Sequence, residues 1–153
     1  MSQAHAEASA IVNAPPSVVY ATLADYRTGH PQALPKPTFS DLTIEQGGQG
    51  AGTVFRVTVT VLGTATKYHM RVAEPQPGRV LAETDLTTGL TTTFTVDPID
   101  GGQRSRVTIA TDWTSRGGLA GYGERLLTPF FMQRIYAQQL RQLDEVIGQG
   151  GRA

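Results

Sequence analysis

From Thr38 to Trp113 the chain repeats one pattern, with apolar residues at every second position and glycine or proline interrupting at short intervals. The clearest case is Phe55, Val57, Val59 and Val61, which alternate with Arg56, Thr58 and Thr60. Such a period of two predicts a strand with one apolar and one solvated face. Tyr68, Met70 and Val72 alternate with Lys67, His69 and Arg71 in the same way. Thr92, Phe94 and Val96 predict another strand, and Val107, Ile109, Thr111 and Trp113 the last. Leu42 and Ile44 mark a strand before them, and Arg79 to Asp85 is a strand whose facing the pattern leaves open. The breaks at Gly47–Gly52, Gly63, Pro75–Gly78 and Asp97–Gln103 are turn-length. Consecutive strands joined by short turns predict an antiparallel sheet.

The flanks read differently. Ala6 to Asn13 alternates loosely and predicts a first strand, ended by Ala14-Pro15-Pro16. Ser17 to Asp25 predicts a short helix, since proline is favourable where the first helical N–H has no partner. Tyr26 to Pro37 holds Gly29, Pro31, Pro35 and Pro37, which leaves room for at most a short helical turn. Leu119 to Gly148 is long and free of strand signals. Leu119, Tyr122, Leu126 and Phe130 form one helical stripe. Beyond Pro129 the stripe changes phase to Met132, Tyr136, Gln139, Leu140, Leu143, Val146 and Ile147. A helix bent or broken at Pro129 is the expectation. The fold class is therefore α+β: a one-sided sheet covered by one C-terminal helix.

Composition narrows the function classes. The 153 residues fit one domain, spanning 1–153 with loose ends expected at 1–5 and 149–153. Thirteen basic and thirteen acidic residues give zero net charge, which argues against a general nucleic-acid binder. The absence of Cys removes disulfides, thiol nucleophiles and zinc ribbons. The N-terminal stretch lacks the basic region and apolar run of a signal peptide, and no segment approaches the roughly 20 apolar residues of a membrane span. A cytoplasmic protein is the expectation.

The order of elements carries a resemblance. Ala10-Ile11-Val12-Asn13-Ala14-Pro15-Pro16-Ser17-Val18-Val19-Tyr20, continuing to Leu23-Ala24-Asp25-Tyr26, resembles the opening of the START-like helix-grip superfamily (SRPBCC). Arg116 to Tyr122 and Leu140 to Glu145 are similar to the start and end of the long helix in its polyketide cyclase/dehydrase and lipid-transport family. The resemblance implies a helix-grip fold: a curved antiparallel sheet of about seven strands wrapped around the C-terminal helix, with two short helices after strand one. It also implies a cavity for a lipid, polyketide or similar hydrophobic molecule. Many relatives carry a Trp just after the first helices. Here the stretch Gly29-His30-Pro31-Gln32-Ala33-Leu34-Pro35 has none, so the mouth of a pocket is expected to differ.

Candidate chemistry is sparse. Tyr26, Phe55, Tyr68, Phe94, Trp113, Tyr122, Phe130 and Phe131 fall mostly on apolar faces and suit either core packing or an apolar pocket wall. Together with Val57, Val59, Met70, Ile109 and Leu126 they form the expected ligand-binding set, Phe131 aside. Thr92 belongs to it too, and with Thr111 would add neutral hydrogen-bonding points. A cavity of about 300 Å³ or more should then exist. For an alternative enzyme of the cyclase/dehydratase type, His30, Tyr68 and Tyr122, with Tyr26, are the candidate proton carriers. His30 is placed in a loop, His69 on the solvated face and His5 in a disordered terminus. The three have no metal-ligand spacing, so neither metal nor cofactor is expected. Gly47–Gly52 fails the spacing of a dinucleotide loop, because residue 53 is Thr and a strand follows, and reads as a flexible hairpin. Asp112 is assigned to the outer face and Arg134 to the polar stripe of the helix. Leu127 and Phe131 lie off the main stripe and are the residues offered for a homodimer or another protein partner. Arg56, Lys67, Arg71 and Arg106 fall on outer faces, which predicts an interior nearly free of charge.

Overall fold

The computed structural model describes residues 2–115 and 118–150, with side chains described for 3–115 and 128–150. Seven strands form one antiparallel sheet: β1 (Ser2–Val12), β2 (Phe39–Gln46), β3 (Val54–Val61), β4 (Thr64–Gln76), β5 (Val80–Asp85), β6 (Thr91–Ile99) and β7 (Arg104–Ser115). Their spatial order is β1-β7-β6-β5-β4-β3-β2. The meander from β2 to β7 follows the chain, and β1 closes the far edge against β7. Two short helices, α1 (Pro16–Ala24) and α2 (Gly29–Gln32), fill the gap after β1. The long helix α3 (Gly118–Gly150) lies against β1, β7, α1 and α2. The architecture is the expected helix-grip fold.

The alternation explains the layers. On β7, Val107, Ile109 and Thr111 are buried, while Arg106 and Asp112 are exposed. On β6 the buried set is Thr92, Phe94 and Val96. Register aligns these into rows that cross the sheet. Ile109 pairs with Phe94, and Phe94 with Leu81. One step along, Ala6, Thr111, Thr92, Glu83 and Val72 form the next row. The helix completes the core from above with Tyr136, Leu140 and Leu143.

Three expectations about the backbone need correction. β1 begins at Ser2, so residues 2–5 are paired with β7 and are not a loose end. His5 sits between Asp112 at 2.7 Å and Glu7 at 2.8 Å, which the short, Ala-rich alternation gave no reason to extend that far. Of the two expectations at Pro129, a bend or a break, the break is not seen: the helix α3 runs unbroken through Pro129 to Gly150. A proline costs one backbone hydrogen bond but does not end a helix held by its packing. The Gly47–Gly52 turn joins β2 to β3 as expected, but it is tied down. Gly48 C=O accepts the Tyr26 N–H at 2.9 Å, and the Gly50 N–H donates to Ala24 C=O at 2.9 Å.

Candidate functional site

Between the sheet and α3 lies a cavity of about 420 Å³. Its position follows from where the side-chain rows stop filling the space. Leu81 and Ile109, in the inner row, are fully buried core and do not line it. The next row does, through Glu83, Thr92 and Thr111, together with Phe94. Phe55, Val57, Val59, Val61, Tyr68 and Met70 supply the wall from β3 and β4. Thr128, Phe131, Met132, Ile135, Tyr136 and Gln139 supply the helix side. Their spacing of three, four, seven, eight and eleven residues is one helical face. Leu34 and Phe39 close the end nearest α2.

The described lining is mostly apolar, and of its polar residues His30, Glu83, Thr92, Thr111 and Tyr136 form two hydrogen-bonded clusters. The first is built on Glu83, which is 6% exposed. The Tyr26 hydroxyl donates to Glu83 Oε2 at 2.6 Å, and His30 Nε2 lies 3.4 Å from the same oxygen. His30 is 2% exposed, and its Nδ1 is 2.8 Å from the Leu23 carbonyl oxygen. A carbonyl only accepts, so Nδ1 carries a proton. The Tyr26 and His30 rings stack at 4.4 Å, Tyr26 stacks on Phe55 at 5.0 Å, and His30 meets the edge of Phe94 at 5.4 Å. These contacts fix the imidazole on both sides. Burial pushes the Glu83 carboxyl above the ordinary carboxylate range, although the nearby His30 and the Tyr26 hydroxyl oppose this. Burial, and then the neighbouring Glu83, hold the Tyr26 phenol well above its usual value.

The second cluster is a ladder of hydroxyls. Thr92 Oγ1 and Thr111 Oγ1 are 2.7 Å apart, and Thr111 Oγ1 bonds to the Tyr136 hydroxyl. Burial raises the Tyr136 phenol to about 12, so it stays protonated at neutral pH. Three hydroxyls joined by two bonds use two of their three hydrogens. One O–H therefore remains for a further acceptor. Glu83 pairs with Thr92 across β5 and β6, which sets the two clusters one strand spacing apart, about 4.8 Å.

The sequence-derived set divides on this geometry. Phe55, Val57, Val59, Tyr68, Met70, Thr92, Phe94 and His30 line the cavity. His30 stands in α2, buried, rather than in an open loop. Tyr26 is fully buried behind the wall and reaches the cavity through Glu83. Ile109 belongs to the packed core, and Trp113 is half-buried outside the described lining. Phe130 is 54% exposed, with Arg134 5.7 Å from its ring centroid. In an unbroken helix it sits about 200° from Thr128, away from the cavity face. Phe131, offered for a protein partner, lines the cavity instead. Tyr122, Leu126 and Leu127 lie outside the residues whose side chains are described.

The expectation of a charge-free interior fails on β5. Glu83 and Asp85 both turn inward beside Leu81. That strand carries carboxylates on the face its neighbours keep apolar, so alternation could not orient it. The signal available was Leu81 two residues before Glu83, which gives the two residues one facing. His69 lies on the solvated face, 2.7 Å from Glu45, and Asp112 points outward as assigned. Among the described residues no cluster of three or more His, Asp or Glu is arranged to hold a metal ion. No described helix is long and apolar enough to cross a membrane.

Comparison with known proteins places this geometry. Residues 3–148 match the family described as polyketide cyclase / dehydrase and lipid transport. The solution structure of the KanY protein is 30% identical, covers 97% of this chain and 99% of its own, and superposes with a TM-score of 0.83. The Zhui aromatase/cyclase of Streptomyces sp. R1128 shares the fold at 22% identity, covering 99% and 98% with a TM-score of 0.80. Norcoclaurine synthase of Thalictrum, solved as a point mutant with a transition-state analogue, shares it at 14% identity, covering 98% and 97% with a TM-score of 0.74. No functionally curated protein matches the chain in sequence. With the family matched over nearly its whole length and the helix-grip fold complete, the chain belongs to the polyketide cyclase/dehydrase and lipid transport family of the SRPBCC superfamily.

Proposed function

We propose that the protein binds a hydrophobic small molecule, such as a polyketide or lipid, in the cavity between the sheet and α3. The observation that carries this reading is the cavity itself: about 420 Å³ left open in an otherwise close-packed interior. Small-molecule sites run from about 300 to 1,000 Å³, with apolar walls and a few placed polar groups. Interiors normally fill such space, because cavity volume costs on the order of 24 cal/mol per Å³. An apolar ligand removes that cost and buries further apolar surface at about 25 cal/mol per Å².

The polar groups say how such a molecule would lie. Its apolar body would contact Phe55, Val57, Val59 and Met70 on one side and Met132 and Ile135 on the other. An oxygen function would meet the hydroxyl ladder at the inner end, where an unpaired carbonyl would otherwise cost a hydrogen bond.

Fluorescence titration with the neutral dye N-phenyl-naphthylamine tests the reading. The wild-type protein should bind it saturably. Val59→Trp, which extends an indole from a half-buried wall position, should weaken binding at least about tenfold, a change of about 1.4 kcal/mol. Unaltered binding by a folded Val59→Trp variant would place the dye elsewhere and remove the proposal.

A further inference from the structure

Glu83 and Gln139 each carry polar atoms that the protein leaves unused. Gln139 is 4% exposed and Glu83 6%, and both line the cavity. The Gln139 amide has no hydrogen-bond partner among the described residues. Neither has Glu83 Oε1, since Tyr26 and His30 both approach Oε2. Every fully enclosed side-chain nitrogen and oxygen among the described residues does have a partner, so these unused atoms are open to the cavity. Native interiors rarely leave such groups unpaired, because each unmade bond costs stability. Gln139 stands three residues beyond Tyr136 on the same helical face, and Glu83 is one strand from Thr92. The inner end therefore offers an acceptor at Glu83 Oε1, the spare O–H of the hydroxyl ladder, and the N–H groups of the Gln139 amide.

Resting on the cavity-binding reading above, we infer that Glu83 and Gln139 determine its specificity, selecting an apolar ligand with a neutral hydroxyl head and refusing one that ends in a carboxylate. A hydroxyl has one hydrogen and two lone pairs. Its hydrogen goes to Glu83 Oε1, and its lone pairs take the spare O–H of the ladder and an N–H of Gln139. Bonds of about 2.7–2.9 Å on either side of one oxygen bridge the spacing of about 4.8 Å between neighbouring strands. An ether accepts from the same two donors but leaves Oε1 without a hydrogen. A carboxylate brings a second acid beside Glu83. Two carboxyl groups sharing a site cannot both ionise, so one must take up a proton against the solvent pH. The apolar surroundings of Glu83 strengthen that repulsion. The described lining holds no Lys or Arg to offset a ligand anion, and His30, its one basic residue, is engaged with Glu83.

The test displaces N-phenyl-naphthylamine with three probes of one skeleton: 4-butylphenol, its methyl ether 4-butylanisole, and 4-butylbenzoate. At about pH 8 a phenol, which titrates near 10, is neutral and the benzoate is ionised. The wild-type protein should bind the phenol at least about tenfold more tightly than the ether and about 100-fold more tightly than the benzoate. In Glu83→Gln the amide oxygen accepts from Tyr26 and the NH2 group turns to the cavity, so a donor replaces the acceptor. Benzoate should then bind at least about tenfold more tightly than to wild type, and the preference for phenol over ether should fall below about threefold, with dye affinity changed less than that. Gln139→Leu keeps the size of the side chain and should weaken the phenol about fivefold without weakening the dye. Where Glu83→Gln does not fold, the wild-type series and Gln139→Leu decide. An ether or benzoate that displaces the dye from wild type as readily as the phenol does, or affinities unchanged in the folded variants, overturns the inference and leaves the binding reading standing. A dye that fails to bind wild type overturns the two together.

Discussion

Glu83 and Asp85 stand two residues apart on β5 and face the same interior, yet their surroundings treat charge in opposite ways. Burial pushes Asp85 up, but the Thr88 hydroxyl and the backbone N–H groups of His69, Thr88 and Thr87 outweigh it and leave its carboxyl below the usual value. Those bonds are 2.7 Å from Thr88 Oγ1 and 3.0 Å from the His69 N–H. The unfolded chain therefore binds this proton more readily than the folded one. The stabilisation is present above the unfolded value of 3.8 and is lost as pH falls through the lower folded value. Asp85→Asn should cost about 1.5–3 kcal/mol at pH 7, and the difference from wild type should shrink in acid. For Glu83 the sign reverses. Its folded value lies above 4.5, so the fold is favoured while the group stays protonated and loses that advantage as pH rises through the folded value. His30 and Tyr26 face it directly, and Tyr136 senses its charge. Relative to wild type, Glu83→Gln should gain stability between about pH 5 and the folded value, seen in urea titrations across that range. At this scale the sequence was only partly legible. His30 could be singled out as a candidate from its place after α1, but its partner could not, because alternation on β5 sets Leu81 and two carboxylates on one face.

The β2–β3 turn shows how an element is held by groups that spacing rules do not report. Glu74 on β4 accepts the Ala51 N–H at 2.8 Å and the Tyr20 hydroxyl at 2.7 Å. Its carboxylate lies where a side chain on Gly50 would be, and Gly50 has φ +54°. Arg27 similarly occupies the space beside Gly48, at φ +137°. Gly50→Ala should therefore displace Glu74, release both of its bonds and destabilise the protein by about 1–3 kcal/mol, with a lower Tm in thermal unfolding. The failure to read the turn as anchored has a physical cause: its partners come from α1 and β4, more than twenty residues away in either direction. The strands themselves were legible because each carries its own apolar face. The helix was legible in extent and, beyond Phe131, in phase: Met132, Tyr136 and Gln139 face the cavity and Leu140 and Leu143 the core, as the second stripe gave. The first stripe was carried past Pro129 to Phe130, whereas the helix turns Phe131 inward and Phe130 out.

For the whole molecule, the order of elements was enough to anticipate a one-sided antiparallel sheet covered by one long helix, and the resemblance in the opening residues and the C-terminal helix supplied the helix-grip fold. What order could not show is where packing stops. The inner rows, with Leu81, Ile109, Leu140 and Leu143, are closed, and the cavity opens at the row of Glu83, Thr92 and Thr111. The zero net charge of the chain does not describe that site, which holds a buried carboxyl beside a histidine. The central claim is that a hydrophobic molecule sits between sheet and helix, and two methionines bracket that space. Met70 lines it from β4 and Met132 from α3. The direct measurement is a methyl NMR titration of methionine-labelled protein with N-phenyl-naphthylamine, the two resonances assigned through Met70→Leu and Met132→Leu. Both methyl signals should shift together and saturate at the affinity seen by fluorescence. Saturation of the dye signal with either methyl unmoved would contradict that claim.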